Sequence, residues 1–348
     1  MLTIEPFTFG VGDRFAHQGR AQLQAMMQAR DLGIPVYPVW NKSYREHSFI
    51  ETKPDDVRAE ADTAVSALGW TGSYYVDADH INRKNVSDFI RGSNFFTIDV
   101  ADFTGHPTVL AEEERFLKSM SGYVKALLIP GISRPLELSE SALRAAARKF
   151  LVAVREAGFT YREIISQKGA DNFVTEVSMD ETETAQTPAE LFLILAMSHL
   201  EEIPIQTIAP KFTGRFNKGI DYSGDLARFE KEFDEDLSVV GFAIREFGLP
   251  KTLKLSVHSG SDKFSLYPVI NRLIKKHETG LHLKTAGTTW LEEIIGLAEA
   301  GNDGLEIAKD VYAQAFARFD ELKGPYLPVI DINPEKLPDP AQVNSWTS

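Results

Sequence analysis

The sequence has no cysteine in its 348 residues. Disulfide bonds, cysteine-ligated zinc and thiol nucleophiles are therefore excluded. Basic residues are also scarce: 37 Lys and Arg stand against 50 Asp and Glu, which gives a formal net charge of −13. We expect no nucleic-acid partner, because binding a polyanion requires a basic surface.

Long apolar runs and nucleotide-binding motifs are missing as well. No apolar run approaches the length of a membrane span, and residues 1–10 lack the pattern of a signal peptide. We therefore expect a cytoplasmic protein with no membrane partner. The glycines at 10, 12 and 19 do not fit G-x-G-x-x-G, and neither a phosphate-binding loop nor a G-x-S-x-G elbow occurs, so we expect no nucleotide cofactor.

Short apolar strands alternate with amphipathic helices along most of the chain. The pattern predicts eight strands, at 7–12, 35–40, 73–77, 95–100, 173–177, 205–209, 254–258 and 282–285. It predicts intervening helices at 21–32, 55–68, 84–91, 188–201, 225–247, 264–277 and 289–300. Strict alternation implies a parallel sheet, and eight units imply closure into an α/β fold of the (β/α)8 TIM-barrel type. We predict one barrel domain over residues 1–348.

Two regions depart from the regular alternation. About seventy residues separate the fourth and fifth strands, which is too long for one connection and predicts a helical insertion over about 103–166. Helices are expected there at 111–123 and 139–157. An extra helix at 305–322 and a proline-rich tail at 334–348 complete the chain.

Histidines and carboxylates recur at the predicted strand ends, where a closed barrel gathers them on one face. The histidines are His17, His80, His258 and His282, and the carboxylates are Asp13, Asp77, Asp79, Asp99, Asp102, Glu176, Asp180 and Glu181. Such ligands without cysteine suit Zn²⁺, Mn²⁺, Co²⁺ or Ni²⁺. We predict metal ligands at His80, Glu176 and His258, with His282 and Asp79 next. Capping or bridging of strand ends is an equal alternative for Asp77 and Asp99.

Two glycine-containing turns, each at a predicted helix start, are typical of anion cradles. They are Ser259-Gly260-Ser261 and Ala286-Gly287-Thr288, with Lys263 and Lys284 beside them. They would hold a carboxylate or a phosphate, and the motif does not decide between the two. Asp262 is equally suited to capping the next helix.

Several segments resemble the tagaturonate epimerase family, bacterial enzymes that interconvert tagaturonate and fructuronate at C4. The most specific is His258-Ser259-Gly260-Ser261-Asp262-Lys263, and the others lie at 12–19, 76–82, 96–102 and 282–288. The resemblance implies a small sugar-acid substrate and a metal-dependent isomerase of hexuronate catabolism. Retro-aldol cleavage and re-formation of C3–C4 through a metal-stabilised enediolate would invert C4 without a nicotinamide.

The resemblance also suggests roles. Asp79 or Asp99 would move the C4 hydroxyl proton. Lys211, Lys263 or Lys284 would hold the substrate carboxylate, with Ser259, Gly260, Gly287 and Thr288 in the cradles. A Schiff base on Lys211 or Lys284 is an alternative, as are a class II-type aldolase and a non-catalytic sugar-acid-binding barrel. The sequence leaves open whether the chain forms a homo-oligomer.

Overall fold

The computed structural model describes residues 2–324, 330 and 332–347. Eight parallel strands close into a barrel. They are β1 (Phe7–Asp13), β2 (Tyr37–Ser43), β3 (Tyr75–Ile81), β4 (Phe95–Asp99), β7 (Val174–Ser178), β8 (Thr207–Ala209), β9 (Lys254–Gly260) and β10 (Leu281–Thr288), while β5 (Lys125–Leu127) and β6 (Leu136–Leu138) form a separate hairpin. Around the barrel the strands follow one another in the order β1-β2-β3-β4-β7-β8-β9-β10. The predicted barrel and all eight predicted strands are confirmed.

Helices surround this barrel in the predicted alternation, apart from a short helix after β2 that the sequence did not predict. They are α1 (Gly19–Asp31), α2 (Tyr44–Phe49), α3 (Pro54–Leu68), α4 (Val86–Phe89), α5 (Leu110–Ser119), α6 (Glu140–Lys168), α7 (Pro188–Leu200), α8 (Leu226–Phe247), α9 (Tyr267–Lys276), α10 (Trp290–Ala300), α11 (Asn302–Ala317), α12 (Phe319–Lys323) and α13 (Pro340–Asn344). Local chemistry sets where several begin. At α7, the Thr187 hydroxyl accepts from the Glu190 N–H while the Glu190 carboxylate accepts from the Thr187 N–H, with Pro188 in the first turn.

The insertion between β4 and β7 contains the two predicted helices, α5 and α6, and a hairpin that the sequence did not predict. The hairpin joins β5 (Lys125–Leu127) to β6 (Leu136–Leu138), each only three residues long and too short to show a period. Helix α6 continues to Lys168 and packs against β4 and α7. It therefore serves as the connecting helix of this barrel unit as well as part of the insertion.

The C-terminal extension also follows the prediction in outline. The extra helix is divided into α11 and α12, and the proline-rich tail forms a 3₁₀ turn at Pro334–Lys336 followed by α13. Ser348, the last residue of the predicted tail, lies outside the described residues. Within the described part of the chain, no helix combines the length and apolar character needed to cross a membrane.

The barrel interior changes from apolar to polar along the strands. Alternate side chains of a strand face the same side, so inward-facing residues form layers. An apolar layer near the strand starts contains Ile4, Val39, Tyr75, Phe95 and Val174. Two residues further along β3, β4 and β7 stand Asp77, Thr97 and Glu176, which are hydrogen-bonded through the Thr97 hydroxyl. The carboxyl end of the barrel therefore carries ionisable groups, and an apolar layer lies beneath them.

Candidate active site

A cavity of about 860 Å³ opens at the carboxyl ends of the barrel strands. Its lining includes Asp79 and His80 of β3, Asp99 of β4, His258 of β9 and Lys284 of β10. Residues distant in sequence thus converge on one face, as expected for a closed parallel barrel.

Lys284 lies at the centre of a buried charge cluster beneath this cavity. Its Nζ is 2.7 Å from Asp77 Oδ2, 2.5 Å from Asp79 Oδ1 and 2.8 Å from the Thr97 hydroxyl. Burial opposes the ammonium charge, but the carboxylates outweigh burial and raise the pKa of Lys284 above its ordinary value. Gly10 leaves room for this side chain, since a Cβ there would stand 3.0 Å from Lys284 Cγ. The lysine is therefore a fixed positive charge.

The two carboxylates bound to Lys284 respond differently to it. Burial raises the pKa of Asp77 to about 6, although Lys284 opposes the rise. For Asp79 burial acts in the same direction, but Lys284 and then His80 outweigh it and lower the pKa to about 2. Asp79 is consequently ionised throughout the physiological pH range.

Two histidines face each other across the cavity floor, and each is held by a carboxylate. His80 Nδ1 lies 2.9 Å from Asp99 Oδ2, and His258 Nε2 lies 2.8 Å from Glu176 Oε1. Their ring centroids are 5.3 Å apart. Burial lowers both pKa values, but Asp79 outweighs it for His80 and raises the pKa to about 10, while Asp180 and Glu176 raise that of His258 to about 9. The floor thus stabilises positive charge on both rings.

The end of β3 has an irregular backbone that brings consecutive side chains into the cavity. The register with β4 shifts between Ala78 and Ile81, and His80 has a φ of +52°. Because successive side chains of a regular strand point to opposite faces, Asp79 and His80 line the cavity together only through this irregularity. Backbone in this sparsely populated region is concentrated at functional sites in proteins.

The residues present fit a divalent metal ion. His80, Asp180 and His258 offer ligand atoms within 4.8 Å of one another, and His80, Asp99 and Glu181 form a second such group. Imidazole and carboxylate ligands suit Zn²⁺ and related transition metals. Asp180 lies 3.0 Å from His258 Nδ1, while Glu176 contacts the other ring nitrogen of His258. A carboxylate behind a ligand histidine is the usual outer support of such sites.

Comparison with known proteins places the chain in a family. A family model described as tagaturonate epimerase matches residues 2–346. A tagaturonate/fructuronate epimerase from Thermotoga maritima is 31% identical over 351 residues, covering 97% of this chain and 68% of that protein. The chain belongs to the tagaturonate epimerase family. The resemblance recognised in the sequence is therefore confirmed, and the chain is an enzyme of the epimerase class.

Solved structures agree with this assignment to the tagaturonate epimerase family. A glycerol complex of the fructuronate-tagaturonate epimerase from Cohnella laeviribosi is 25% identical, with a TM-score of 0.79 over 99% of this chain and 70% of that chain. The native structure of the same enzyme is 24% identical, also with a TM-score of 0.79, and covers 99% and 71%. A probable tagatose 6 phosphate kinase from Sinorhizobium meliloti, 12% identical with a TM-score of 0.51 over 95% of this chain and 79% of that chain, shares the fold alone.

The predicted metal ligands of this family member occupy different levels of the barrel. His80 and His258 stand at the cavity, and Glu176 lies fully buried beneath His258. His282 lies lower still, with Nδ1 2.9 Å from the Thr8 hydroxyl, and burial lowers its pKa to about 3. The placement of His282 at a carboxyl-terminal strand end is wrong, because His282 is the second residue of β10, which continues to Thr288.

The predicted substrate-binding residues are likewise divided. Lys211 and Gly260 line the cavity. The other four predicted residues are not among the described residues that line the cavity. The Ser259 hydroxyl donates to the Lys284 carbonyl, the Lys263 ammonium donates to the Ser261 carbonyl at 2.8 Å, and the Thr288 hydroxyl accepts from the Gln22 amide at 2.9 Å. Gly287, with a φ of +63°, packs so closely on Gly12 that a Cβ would stand 2.1 Å from its carbonyl oxygen. These four residues shape the turns.

The two aspartates for which capping or bridging was the alternative make contacts of that kind. Asp77 accepts from the Thr97 N–H at 3.1 Å, and Asp99 accepts from the Ala101 N–H at 2.9 Å. Asp77 also forms an ion pair with Lys284, and Asp99 contacts His80. Asp262 accepts from the Tyr267 hydroxyl at 2.7 Å, whereas α9 begins after Leu266, so Asp262 does not cap that helix.

The sequence assigned no role to several residues of the cavity. Asp180 and Glu181 follow β7 directly and were predicted only as strand-end carboxylates, yet both line the cavity. Arg14, Arg45 and Lys218 also line the cavity. Arg45 lies in the short helix α2, which the sequence pattern did not predict, and Arg14 and Lys218 lie in the segments after β1 and β8.

Proposed function

We propose that this chain interconverts tagaturonate and fructuronate by inverting C4 of a 2-keto-hexuronate, using a divalent metal and reversible cleavage of C3–C4. The observation that carries the proposal is the pair of carboxylate-held histidines, His80 and His258, facing one acidic cavity with Asp180. Family membership supplies the substrate and the reaction class.

The metal would be held by His80, His258 and Asp180, with Asp99 and Glu176 supporting the two imidazoles. This set keeps two of the ligands expected from the sequence and replaces Glu176 and His282 by Asp180. When bound, a divalent cation supplies a Lewis acid for negative charge that develops on the ketone oxygen.

The bond chemistry follows from the position of the carbonyl. C4 is β to the C2 ketone, so the ketone does not acidify the C4 hydrogen. Removal of the C4 hydroxyl proton instead makes C4 an aldehyde carbon and breaks C3–C4, and the bonding electrons pass to C3 and the ketone oxygen as an enediolate. Rotation of the aldehyde and the reverse addition form the opposite configuration, and the proton returns to the C4 oxygen. No external oxidant or reductant is required.

The side chains of the floor suit these proton movements. Asp79 is ionised and lines the cavity, so it is placed to accept the C4 hydroxyl proton, and Lys284 fixes its carboxylate at 2.5 Å. Asp99 holds His80 at 2.9 Å. A Schiff base on Lys284 is disfavoured, because the carboxylates around it keep its amine protonated and non-nucleophilic.

An assay with the metal-loaded protein tests this function. The protein is incubated with tagaturonate, and products are followed by NMR. Formation of the C4-inverted hexuronate is expected, together with loss of turnover after EDTA treatment and recovery when metal is restored. Accumulation of three-carbon fragments alone would indicate an aldolase, and no turnover at all would refute the proposal.

A variant connects the activity to the histidine pair. His258→Asn should abolish turnover and weaken metal binding, since it removes a ligand and the contact with Glu176. His199→Asn is a matched control, because His199 lies in the last turn of α7 and stacks on Phe247 away from the cavity. Full activity of His258→Asn would remove this residue from the site.

A further inference from the structure

One part of the cavity lining is basic and contrasts with the acidic floor. Its cationic residues are Arg14, Arg45, Lys211, Arg215 and Lys218. Arg14 forms an ion pair with Glu46, and the Lys211 ammonium donates to the Thr182 carbonyl, so these two side chains are already engaged.

Arg45 and Lys218 differ from these engaged cations. Within the described part of the chain, neither side chain has a hydrogen bond or an ion pair, and both residues are exposed to solvent. They come from separate elements, Arg45 from α2 and Lys218 from the segment after β8. Two cations that lack a partner among the described residues therefore face the same cavity.

Arg45 and Lys218 interact electrostatically with each other and with the acidic floor of the cavity. Crowding by protein atoms lowers the pKa of Lys218, and the positive charges of Arg14 and Arg45 lower it further. Asp79 and Glu181 act on Lys218 in the opposite direction, and Arg45 acts on Glu181. An anion placed between Arg45 and Lys218 would relieve their repulsion close to the reacting groups.

The reaction proposed above gives this anion a specific place. With the ketone numbered C2, the carboxylate is C6, so cleavage of C3–C4 leaves the carboxylate on the aldehyde fragment. After cleavage, no covalent bond joins the aldehyde fragment to the enediolate. The aldehyde group must rotate about C4–C5 and present its opposite face to C3 of the enediolate while the fragment stays in the cavity.

We propose that Arg45 and Lys218 bind the C6 carboxylate and act as the pivot about which the aldehyde fragment rotates. The inference rests on the proposed epimerisation and adds to it the residues that retain the fragment. Without the pivot, the fragment escapes before C3–C4 re-forms, and the enzyme releases three-carbon products. The pivot therefore determines whether this active site acts as an epimerase or as an aldolase.

The test compares Lys218→Met and Arg45→Gln with the unmodified enzyme. Each variant should raise KM for the uronate about tenfold or more, because charge-assisted hydrogen bonds to the carboxylate are lost. NMR should show a larger fraction of released three-carbon fragments per C4 inversion. For the matching ketohexose, which carries CH2OH at C6, KM should remain the same. Lys218→Arg should restore the low fragment release.

Controls keep the outcomes distinct. Lys231→Met removes an exposed lysine of α8 that is not among the described cavity-lining residues, and it should change neither KM nor the product ratio. If the unmodified enzyme forms no C4-inverted product, the proposed function fails. If it does, and both variants retain the original KM and product ratio, only the pivot is overturned.

A measurement on the unmodified enzyme needs no variant. Glycerate has the length and carboxylate of the aldehyde fragment, and glycerol is its neutral counterpart. Glycerate should inhibit competitively at a concentration at least about tenfold lower than glycerol does. Equal inhibition by the two compounds would overturn the pivot.

Discussion

Lys284 neutralises carboxylates that are buried in the barrel interior. We therefore expect its replacement to lower the stability of the metal-free protein. Its Nζ lies 2.7 Å from Asp77 and 2.5 Å from Asp79, and the side chain is 6% exposed. Removing one partner of a buried ion pair typically costs about 3–5 kcal/mol, because the remaining charge is left uncompensated. We expect Lys284→Met to lower the free energy of unfolding by this amount at pH 8.

The loss should depend on pH through Asp77. In the folded protein its pKa is about 6, above the ordinary value of 3.8, so the folded state binds a proton that the unfolded state has released. Stability from this group therefore falls as pH rises from about 4 to about 6. Lys284→Met removes the positive charge that lowers the pKa of Asp77. In the variant, this pKa is therefore higher, and the pH range over which stability falls extends further upward. The deficit of the variant should be smaller at pH 5.5 than at pH 8.

Urea unfolding followed by circular dichroism, with EDTA present, measures both effects. Lys231→Met is the matched control and should change stability by no more than about 0.5 kcal/mol, since its side chain is 72% exposed. Adding Asp77→Asn to Lys284→Met should recover part of the loss. A deficit below about 1 kcal/mol at pH 8, or one equal at both pH values, would refute this account of the interior charges.

Two further predictions concern the ligand set and a turn. His282→Asn should leave metal stoichiometry unchanged in calorimetric titration of folded protein, whereas His258→Asn should weaken affinity about tenfold or more; equal losses would contradict the different depths of the two histidines. Gly287→Ala should destabilise by about 2–4 kcal/mol in urea, through its φ of +63° and a Cβ 2.1 Å from the Gly12 carbonyl. Gly219→Ala, with a φ of +78° and open space, should cost about 1 kcal/mol, and equal losses would argue against the close approach to Gly12.

The barrel itself was predictable because its signals are local. Alternating strands and amphipathic helices show their periods within a few residues, and eight such units suffice to imply closure. The same information placed His80, His258, Asp79 and Lys284 at strand ends, and all four line the cavity. The hairpin at 125–138 escaped because strands of three residues carry no measurable period.

The grouping of the site residues depended on tertiary structure. His282 and Lys284 belong to the same strand and point the same way, yet about 7 Å of strand rise separates a dry interior position from the cavity floor. The irregular end of β3 places Asp79 and His80 side by side, against the alternation that a sequence pattern assumes.

The barrel, the polar character of its strand ends and the family were all predictable from the amino-acid sequence. The grouping of Asp180 with His80 and His258, and the absence of a partner for Arg45 and Lys218 among the described residues, became evident from the three-dimensional arrangement. Strand register, depth in the barrel and the course of the loops depend on packing across the whole barrel, whereas periodicity and motifs report only on neighbouring residues.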